Sequence, residues 1–163
     1  MNKFAYFDNY FGPDWPDPSE LAPYFLTDAG RQQAFALPYG SDSWSLRIDG
    51  LEGTEHLPEF NGRVDHVLYI VGSIRHGVLL CHQKWGPNGI GHYSKGNLLR
   101  LREYVETTHG DLEPMGFFIP FEEAWKAVKE FMDKDGVLPK SIPWIAVPDI
   151  PPGTFRGPRG PGK

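Results

Sequence analysis

The sequence predicts an α+β domain in which an antiparallel β-meander carries a C-terminal helix on one face and follows a short N-terminal helical region. Two observations indicate this class. Several apolar segments with a two-residue alternation follow one another, separated by short turn-forming stretches. A single long stripe with helical spacing comes after them, near the C-terminus. Strands joined by short turns pair with their sequence neighbours, which makes the sheet antiparallel.

The chain has 163 residues, enough for one domain with a sizeable core. We expect a single domain over residues 1–149, followed by a flexible, Gly- and Pro-rich tail over residues 150–163. Residues 1–43 form an aromatic and proline-rich arm with short helices. Its many large rings are costly to leave in water, so the arm is expected to pack over the domain. Asp17 is suited to cap a short helix that begins at Pro18.

The sheet is predicted over residues 44–120. In "SWSLRID" the apolar residues alternate with polar ones from Trp44 onward, as in a half-buried strand. The stretch "HVLYIVGSIRHGVLLCHQ" indicates two apolar strands joined by a turn. "GPNG" is typical of a turn, and further strands are expected in "IGHYSKG" and "PMGFFIP".

The C-terminal helix is predicted over residues 121–135, and a closing segment over 136–147. The helix carries one continuous apolar stripe opposite a charged face. Gly136 suits the left-handed position just beyond a helix end, and Pro139 prevents the helix from restarting. Trp144 is expected to cover the seam between helix and sheet or to finish an edge strand. The stripe consists of Phe121, Ala124, Trp125, Val128, Phe131 and Met132.

The net charge of −5 is concentrated in the front half of the chain. Residues 1–66 hold eleven acidic and four basic side chains, a net charge of −7. This argues against nucleic acid as a direct ligand, because phosphate binding needs clustered Lys and Arg. It is compatible with a basic protein partner, although a solvated acidic surface that keeps the protein soluble explains it equally simply.

Cysteine usage and hydropathy favour a cytoplasmic protein. Cys81 is the only cysteine, which excludes an internal disulfide and fits a reducing compartment. The first residues lack the apolar run of a signal peptide. No apolar stretch approaches the roughly 20 residues of a membrane helix.

The patterns of known catalytic and metal sites are missing, so no enzyme, metal or cofactor is predicted. Cys81 and His82 are adjacent on a strand and point to opposite faces, and we expect Cys81 to be a small buried hydrophobe. His82 and His92 lack the spacing of zinc ligands. "GPNGIG" lacks the lysine and following helix of a phosphate loop, and no GxSxG motif occurs.

The segment "MGFFIPFEEAWKAVKEFMDKDGVLPKSIPW" resembles the end of the type-one immunity protein family of bacterial polymorphic toxin systems. In that family a strand precedes a helix with buried Ala and Phe, and Gly-x-x-Pro and a Trp close the domain. Upstream, Tyr93, Ser94 and Gly96 are similar to the Tyr-Ser-x-Gly segment of the family. The resemblance covers about residues 66–146, and its C-terminal features fall on Ala124, Ala127, Phe131, Gly136, Pro139 and Trp144.

This resemblance implies a small cytoplasmic antitoxin that binds and blocks a cognate toxin domain. Nucleic-acid deaminases are common partners in the family, and their zinc signature would belong to the toxin. The alternative is a non-catalytic protein-binding adaptor of the broader Smi1-like kind. A toxin gene immediately upstream would favour immunity, whereas binding to several host proteins would favour the adaptor.

Two parts of the sequence are candidates for partner contacts. The first is "HQKWGPNGIGHY", where turn residues should hold Trp85 at the surface as an anchor, unless its ring folds back onto the sheet. The second is an acidic group that would steer a basic partner. The candidate residues are His82, Lys84, Trp85, Asn88 and His92 in the loop, and Asp14, Asp17 and Glu20 in the acidic group.

Overall fold

The computed structural model describes residues 1–36, 43–107 and 110–155, and these have the α+β architecture that the sequence predicts. Within these residues, three helices accompany an eight-stranded sheet and a separate two-stranded one. The helices are α1 (Pro18–Leu26), α2 (Asp28–Phe35) and α3 (Phe121–Asp133). The strands are β1 (Asn2–Phe7), β2 (Tyr10–Pro13), β3 (Trp44–Leu51), β4 (Val64–Ser73), β5 (Gly77–Trp85), β6 (Gly91–Ser94), β7 (Tyr104–Glu106), β8 (Leu112–Pro114), β9 (Phe118–Ile119) and β10 (Trp144–Ala146).

The main sheet runs in the order β10-β6-β5-β4-β3-β1-β2, and β9 adds a short pairing to β5. Strands β3 to β6 are consecutive antiparallel neighbours, as predicted for a meander. The β10 strand comes from the closing segment and pairs antiparallel with β6 at one edge. The small sheet is the β7–β8 hairpin.

The N-terminal arm differs from its prediction, because its first 13 residues belong to the sheet. β1 pairs with β3, and β2 pairs with β1 to form the opposite edge, so the sheet begins at residue 2 and not at residue 44. A tight turn at Asp8, with φ of 49°, joins β1 to β2. The helix that follows starts as expected at Pro18, with Asp17 as its cap and Glu20 completing a capping box.

The three helices cover one face of the sheet, here called the helix face. Alternate residues of the central strands, such as Leu46, Leu68 and Leu80, are buried there against the helices. The apolar stripe of α3 provides Ala124, Val128, Phe131 and others to this core, which bears out the predicted packing of the helix. The opposite side of the sheet is called the open face below.

The end of α3 explains why Gly136, Pro139 and Trp144 follow it. Gly136 has φ of +84°, and its N–H donates to the carbonyl oxygen of Phe131, as in a Schellman helix end. A Cβ at Gly136 would lie 2.5 Å from Cγ2 of Ile48, so the site admits only glycine. The indole N–H of Trp144 donates to the Pro139 carbonyl oxygen at 2.7 Å, which folds the closing segment on itself, and the pairing of β10 with β6 holds the segment to the sheet.

Residues 150–155 are packed, although the sequence predicts a flexible tail from residue 150. The Tyr104 hydroxyl donates to the carbonyl oxygen of Thr154 at 2.8 Å, and Thr154 is buried. The ring of Phe155 lies 5.3 Å from that of Tyr93. Apolar contacts on the open face thus hold this segment in place, and the rest of the predicted tail, 156–163, lies outside the described residues.

Candidate functional site

The open face has a covered part and a part with exposed aromatic rings. Over β5 and β6, a second apolar cluster that includes Leu101, Val105 and Phe117 packs on the sheet. Toward the other edge, large rings on β1 and β2 reach solvent. These are Phe4, Tyr6 and Phe11, with 39 %, 50 % and 62 % of their surface exposed.

Strand register places these rings side by side. Tyr6 pairs with Phe11, and their rings meet edge to face with centroids 5.0 Å apart. Phe4 is the cross-strand neighbour of Arg47 on β3. Because residues that pair directly across an antiparallel ladder point to the same face, the aromatic group borders Arg47.

Trp85 lies on the same face at the end of β5. It is the cross-strand neighbour of Asp65, which points away from the helix face, and 41 % of its surface is exposed. The turn after it is tight, because Gly86 has φ of +113° and lies against the backbone of Arg63. The exposure expected of Trp85 is therefore present, whereas its role in binding stays a prediction.

A network of charged side chains separates Trp85 from the aromatic group. Asp65 has 2 % of its side chain exposed and accepts from Arg63 Nε at 2.8 Å and from Arg47 Nη2 at 3.2 Å. Both arginines also contact Asp49, and Arg47 reaches Glu59 at 2.9 Å. Multiple charge-assisted bonds of this kind fix long side chains in one geometry.

The pKa of the Asp65 carboxyl shows that the network favours its charged form. Burial by itself raises this pKa, but the hydrogen bonds from Arg63 and from the Gly50 N–H, together with the positive charge of Arg47, lower it overall. Asp65 is thus a buried carboxylate with partners, and it ties the β3–β4 loop to the sheet.

That loop presents Phe60, which is 83 % exposed and has φ of +64°. Phe60 is the third residue of a turn closed by the Asn61 N–H on the Pro58 carbonyl oxygen. In a type II turn this position requires positive φ and favours Gly or Asn, so a bulky side chain there costs about 1 kcal/mol. The Phe60 ring is exposed, so its burial does not offset this cost. A strained and exposed aromatic residue of this kind is a candidate contact residue.

The remaining candidates in the β5–β6 segment divide between surface and interior. Asn88 is exposed, with φ of 58°, and Lys84 is half-buried and pairs with Glu52 at 3.4 Å. His82 is 3 % exposed and its ring contacts Phe131 and Trp144 on the helix face, so, contrary to the prediction, it is not accessible to a partner. Its cross-strand neighbour His92 is half-buried, and burial lowers its pKa.

His82 has a structural task instead. Its Nε2–H donates to the carbonyl oxygen of Gly136 at 2.8 Å, and the Nδ1–H of His66 donates to the same oxygen at 2.6 Å. Burial lowers the pKa of His82 to about 4, which keeps the ring neutral at physiological pH. The two histidines thereby satisfy the carbonyl at the end of α3.

The acidic candidates Asp14, Asp17 and Glu20 are exposed but lie at the β2 edge of the molecule. Four strand spacings separate β2 from β5, a distance of about 19 Å. Asp17 and Glu20 act within α1, and Glu20 also accepts from the Tyr10 hydroxyl at 2.9 Å, which raises the pKa of Tyr10. Trp85 and these three acids therefore lie four strands apart.

Cys81 is half-buried and lines a cavity on the open face, whereas the sequence predicts a small buried hydrophobe. It points away from His82, as expected of neighbours on a strand. In residues 1–36, 43–107 and 110–155, no group of three or more His, Cys, Asp or Glu side chains is placed to hold a metal ion. The helices in the same ranges are too short or too polar to traverse a bilayer.

No protein-family profile, curated protein or solved structure matches this chain at a significant level. The resemblance to the type-one immunity family consequently stays a prediction carried by the residues quoted for it.

Proposed function

We propose that this protein is an antitoxin of the immunity type, which binds and blocks a cognate toxin domain in the cytoplasm through its open face. The observation that carries the proposal is the set of exposed aromatic rings around a fixed network of charged side chains. This set, called the aromatic surface below, consists of Phe4, Tyr6, Phe11, Phe60 and Trp85, with Arg47 among them.

The composition of the aromatic surface is that of a protein interface. Aromatic residues and arginine are enriched at interface centres and supply most of the energetic hot spots. Rings on neighbouring strands, and on a loop held by buried ion pairs, lose little conformational freedom on binding. The surface is therefore prepared to bind a rigid partner without large rearrangement.

Charge favours a basic partner. Residues 1–66 carry a net charge of −7, and the exposed Glu52, Glu55 and Glu59 lie in the same β3–β4 loop as Phe60, each paired with one cation. A toxin that acts on nucleic acid needs a positively charged cleft, so the overall negative charge of this half of the chain favours its approach. A nucleic-acid deaminase is one toxin of this type.

Co-expression with the toxin domain encoded by the neighbouring reading frame tests this function. We expect cells to grow when the wild-type protein is present and to die when it is absent. The double variant Tyr6→Ser/Phe11→Ser should lose protection while remaining folded, because both side chains are largely exposed. Leu26→Ser is the matched control, since Leu26 is 47 % exposed at the end of α1 and faces away from the aromatic surface.

A further inference from the structure

The outer edge of the main sheet at β2 offers backbone groups for pairing. Phe7 and Tyr10 flank a two-residue turn, so they form a hydrogen-bonded pair, and such pairs alternate along an antiparallel ladder. Phe11 therefore belongs to the next, non-bonded pair, and its N–H and C=O point away from β1. The Asp14 N–H, which donates to the Lys3 carbonyl oxygen, fits the same alternation. Among the described residues, neither backbone group of Phe11 has a hydrogen-bond partner.

Space for an added strand is present along this edge. A cleft of about 270 Å³ follows β2 and is lined by Tyr10 and Phe11, which lie on opposite faces of the sheet, and by Trp15 beyond the strand. A Cβ at Gly12 would meet no atom within 4 Å, so the helix-face side of the strand is open there. Pro13 lacks an N–H, which limits pairing to a short segment that offers the Phe11 N–H and the carbonyl oxygens of Phe11 and Pro13.

The charge around β2 is negative and is not offset by ion pairs. Residues 4–30 hold five acidic side chains and no Lys or Arg. Within the part of the chain that the structure describes, the Asp14 carboxylate has no partner, and Asp17 and Glu20 accept only from uncharged groups, the backbone at the start of α1 and a tyrosine hydroxyl. Lys3, which precedes this stretch, is itself paired with an aspartate at 3.1 Å. A basic segment would thus be attracted to this edge, whereas a second copy of the chain would be repelled.

We infer that β2 accepts an extended, basic segment of the toxin as an additional antiparallel strand of the sheet. Main-chain bonding to an exposed sheet edge is a recurring mode of peptide recognition. In such a pairing, the residue opposite Phe11 lies beside its ring on the open face, next to the other rings of the aromatic surface. Its neighbours in sequence point to the helix face, where Asp17 and Glu20 lie at the start of α1.

The segment therefore alternates apolar side chains, which face the aromatic surface, with Lys or Arg, which face the acidic side chains. This inference rests on the proposed function and names the contact that a basic toxin makes beside the aromatic rings.

Amide hydrogen exchange of the full chain with synthetic peptides tests the edge without any toxin. The probe is a short peptide of alternating lysine and valine with blocked ends, and a glutamate–valine peptide of the same length is its acidic counterpart. We expect the Phe11 amide to exchange about tenfold more slowly when the basic peptide is saturating, whereas the Gly12 amide, which already points to β1, changes little. The acidic peptide should leave both amides unchanged.

N-methylation of the peptide backbone tests the direction of the hydrogen bonds. The valines that lie beside Phe11 point their N–H groups at β2, so methylation of the valine nitrogens should abolish the slowing at Phe11. Methylation of the lysine nitrogens, which point away from β2, is the matched control and should preserve it.

Asp14→Asn removes one charge at nearly constant size, and asparagine tolerates the positive φ of 70° at this position. It should weaken binding of the basic peptide about threefold, as for loss of one exposed charge pair. Asp149→Asn, at an exposed site beyond β10 on the opposite edge, is the control and should bind as the wild type does.

Equal binding of the acidic and basic peptides, or no slowing of exchange at Phe11, would overturn the inference. Slowing at Phe11 that rises with protein concentration alone would assign the edge to a second copy and overturn it as well. Each of these results leaves protection against the toxin in co-expression untouched, so it is separable from a failure of the proposed function.

Discussion

Trp85 and Asp65 are directly opposite each other on neighbouring strands, one exposed and the other almost fully buried. The buried carboxylate holds two arginines on the same face as the indole ring. Side chains that are already fixed in the folded protein lose little conformational entropy when a partner binds. A fixed network of charged side chains next to the exposed Trp85 ring therefore favours tight association.

Replacement of the Trp85 ring should reduce binding much more than folding. We expect Trp85→Ala to weaken toxin binding by about 2 kcal/mol or more, mainly through faster dissociation. The free energy of unfolding should fall by only about 1–2 kcal/mol, because the ring is partly exposed. Surface plasmon resonance measures the rates, and an unchanged dissociation rate in a folded variant would remove Trp85 from the interface.

At position 60, glycine should give a more stable protein than alanine, and either replacement of Phe60 should weaken toxin binding. Phe60→Gly is expected to raise the free energy of unfolding by up to about 1 kcal/mol relative to Phe60→Ala, since only glycine adopts positive φ without strain. Both variants should bind the toxin more weakly than the wild type. Urea denaturation gives the first comparison and calorimetry the second. Equal stability of the two variants would show that the backbone at Phe60 carries no strain.

The contribution of the charged network to stability should depend mainly on Asp65, its most deeply buried member. Asp65→Asn is expected to cost about 3 kcal/mol of unfolding free energy, because it removes the more deeply buried of the two carboxylates that both arginines share. Glu59→Gln is the control within the same network. Glu59 is exposed, and loss of its pair with Arg47 should cost less than about 1 kcal/mol. Equal losses in urea denaturation would contradict this assignment.

Acid should destabilise the protein through His82. The unfolded ring takes up a proton near its ordinary pKa of 6.5, whereas the folded ring does so only near about 4. Because the unfolded state binds the proton first, this contribution is fully present above about pH 6.5 and declines by about 2–4 kcal/mol toward pH 4. Urea denaturation between pH 4.5 and 7 measures this decline.

His82→Gln isolates the effect, because the glutamine amide takes the place of Nε2–H and does not titrate. Its stability should vary less with pH than that of the wild type over the same range. His66 also has a pKa lowered by burial and retains a smaller dependence in this variant. Identical pH profiles of wild type and variant would assign the acid sensitivity to other groups.

The sequence predicts well what depends on local periodicity. The alternation from Trp44, the stripe of α3 and the glycine beyond its end are confirmed, because each is set by neighbours a few residues away. The exposure of Trp85 follows in the same way from the turn residues after it.

Features that depend on long-range pairing are missed. The aromatic residues of "KFAYF" favour a strand at β1, but its place beside β3 depends on pairing with residues about 40 or more positions away. His82 is buried because strand register brings it to a carbonyl 54 residues further along the chain. The positive φ of Phe60 is missed because the third position of such a turn usually carries Gly or Asn, and a phenylalanine gives no signal for it.

Calorimetric titration of the toxin domain into three proteins tests the central proposal most directly. These are the wild type, Tyr6→Ser/Phe11→Ser and Leu26→Ser, each with folding checked beforehand. We expect the wild type and Leu26→Ser to bind with the same affinity and the double variant at least about 30-fold more weakly, as for loss of one hot spot of about 2 kcal/mol. If the double variant binds as tightly as the wild type, or if Leu26→Ser is the one that fails, the open face is not the toxin-binding surface.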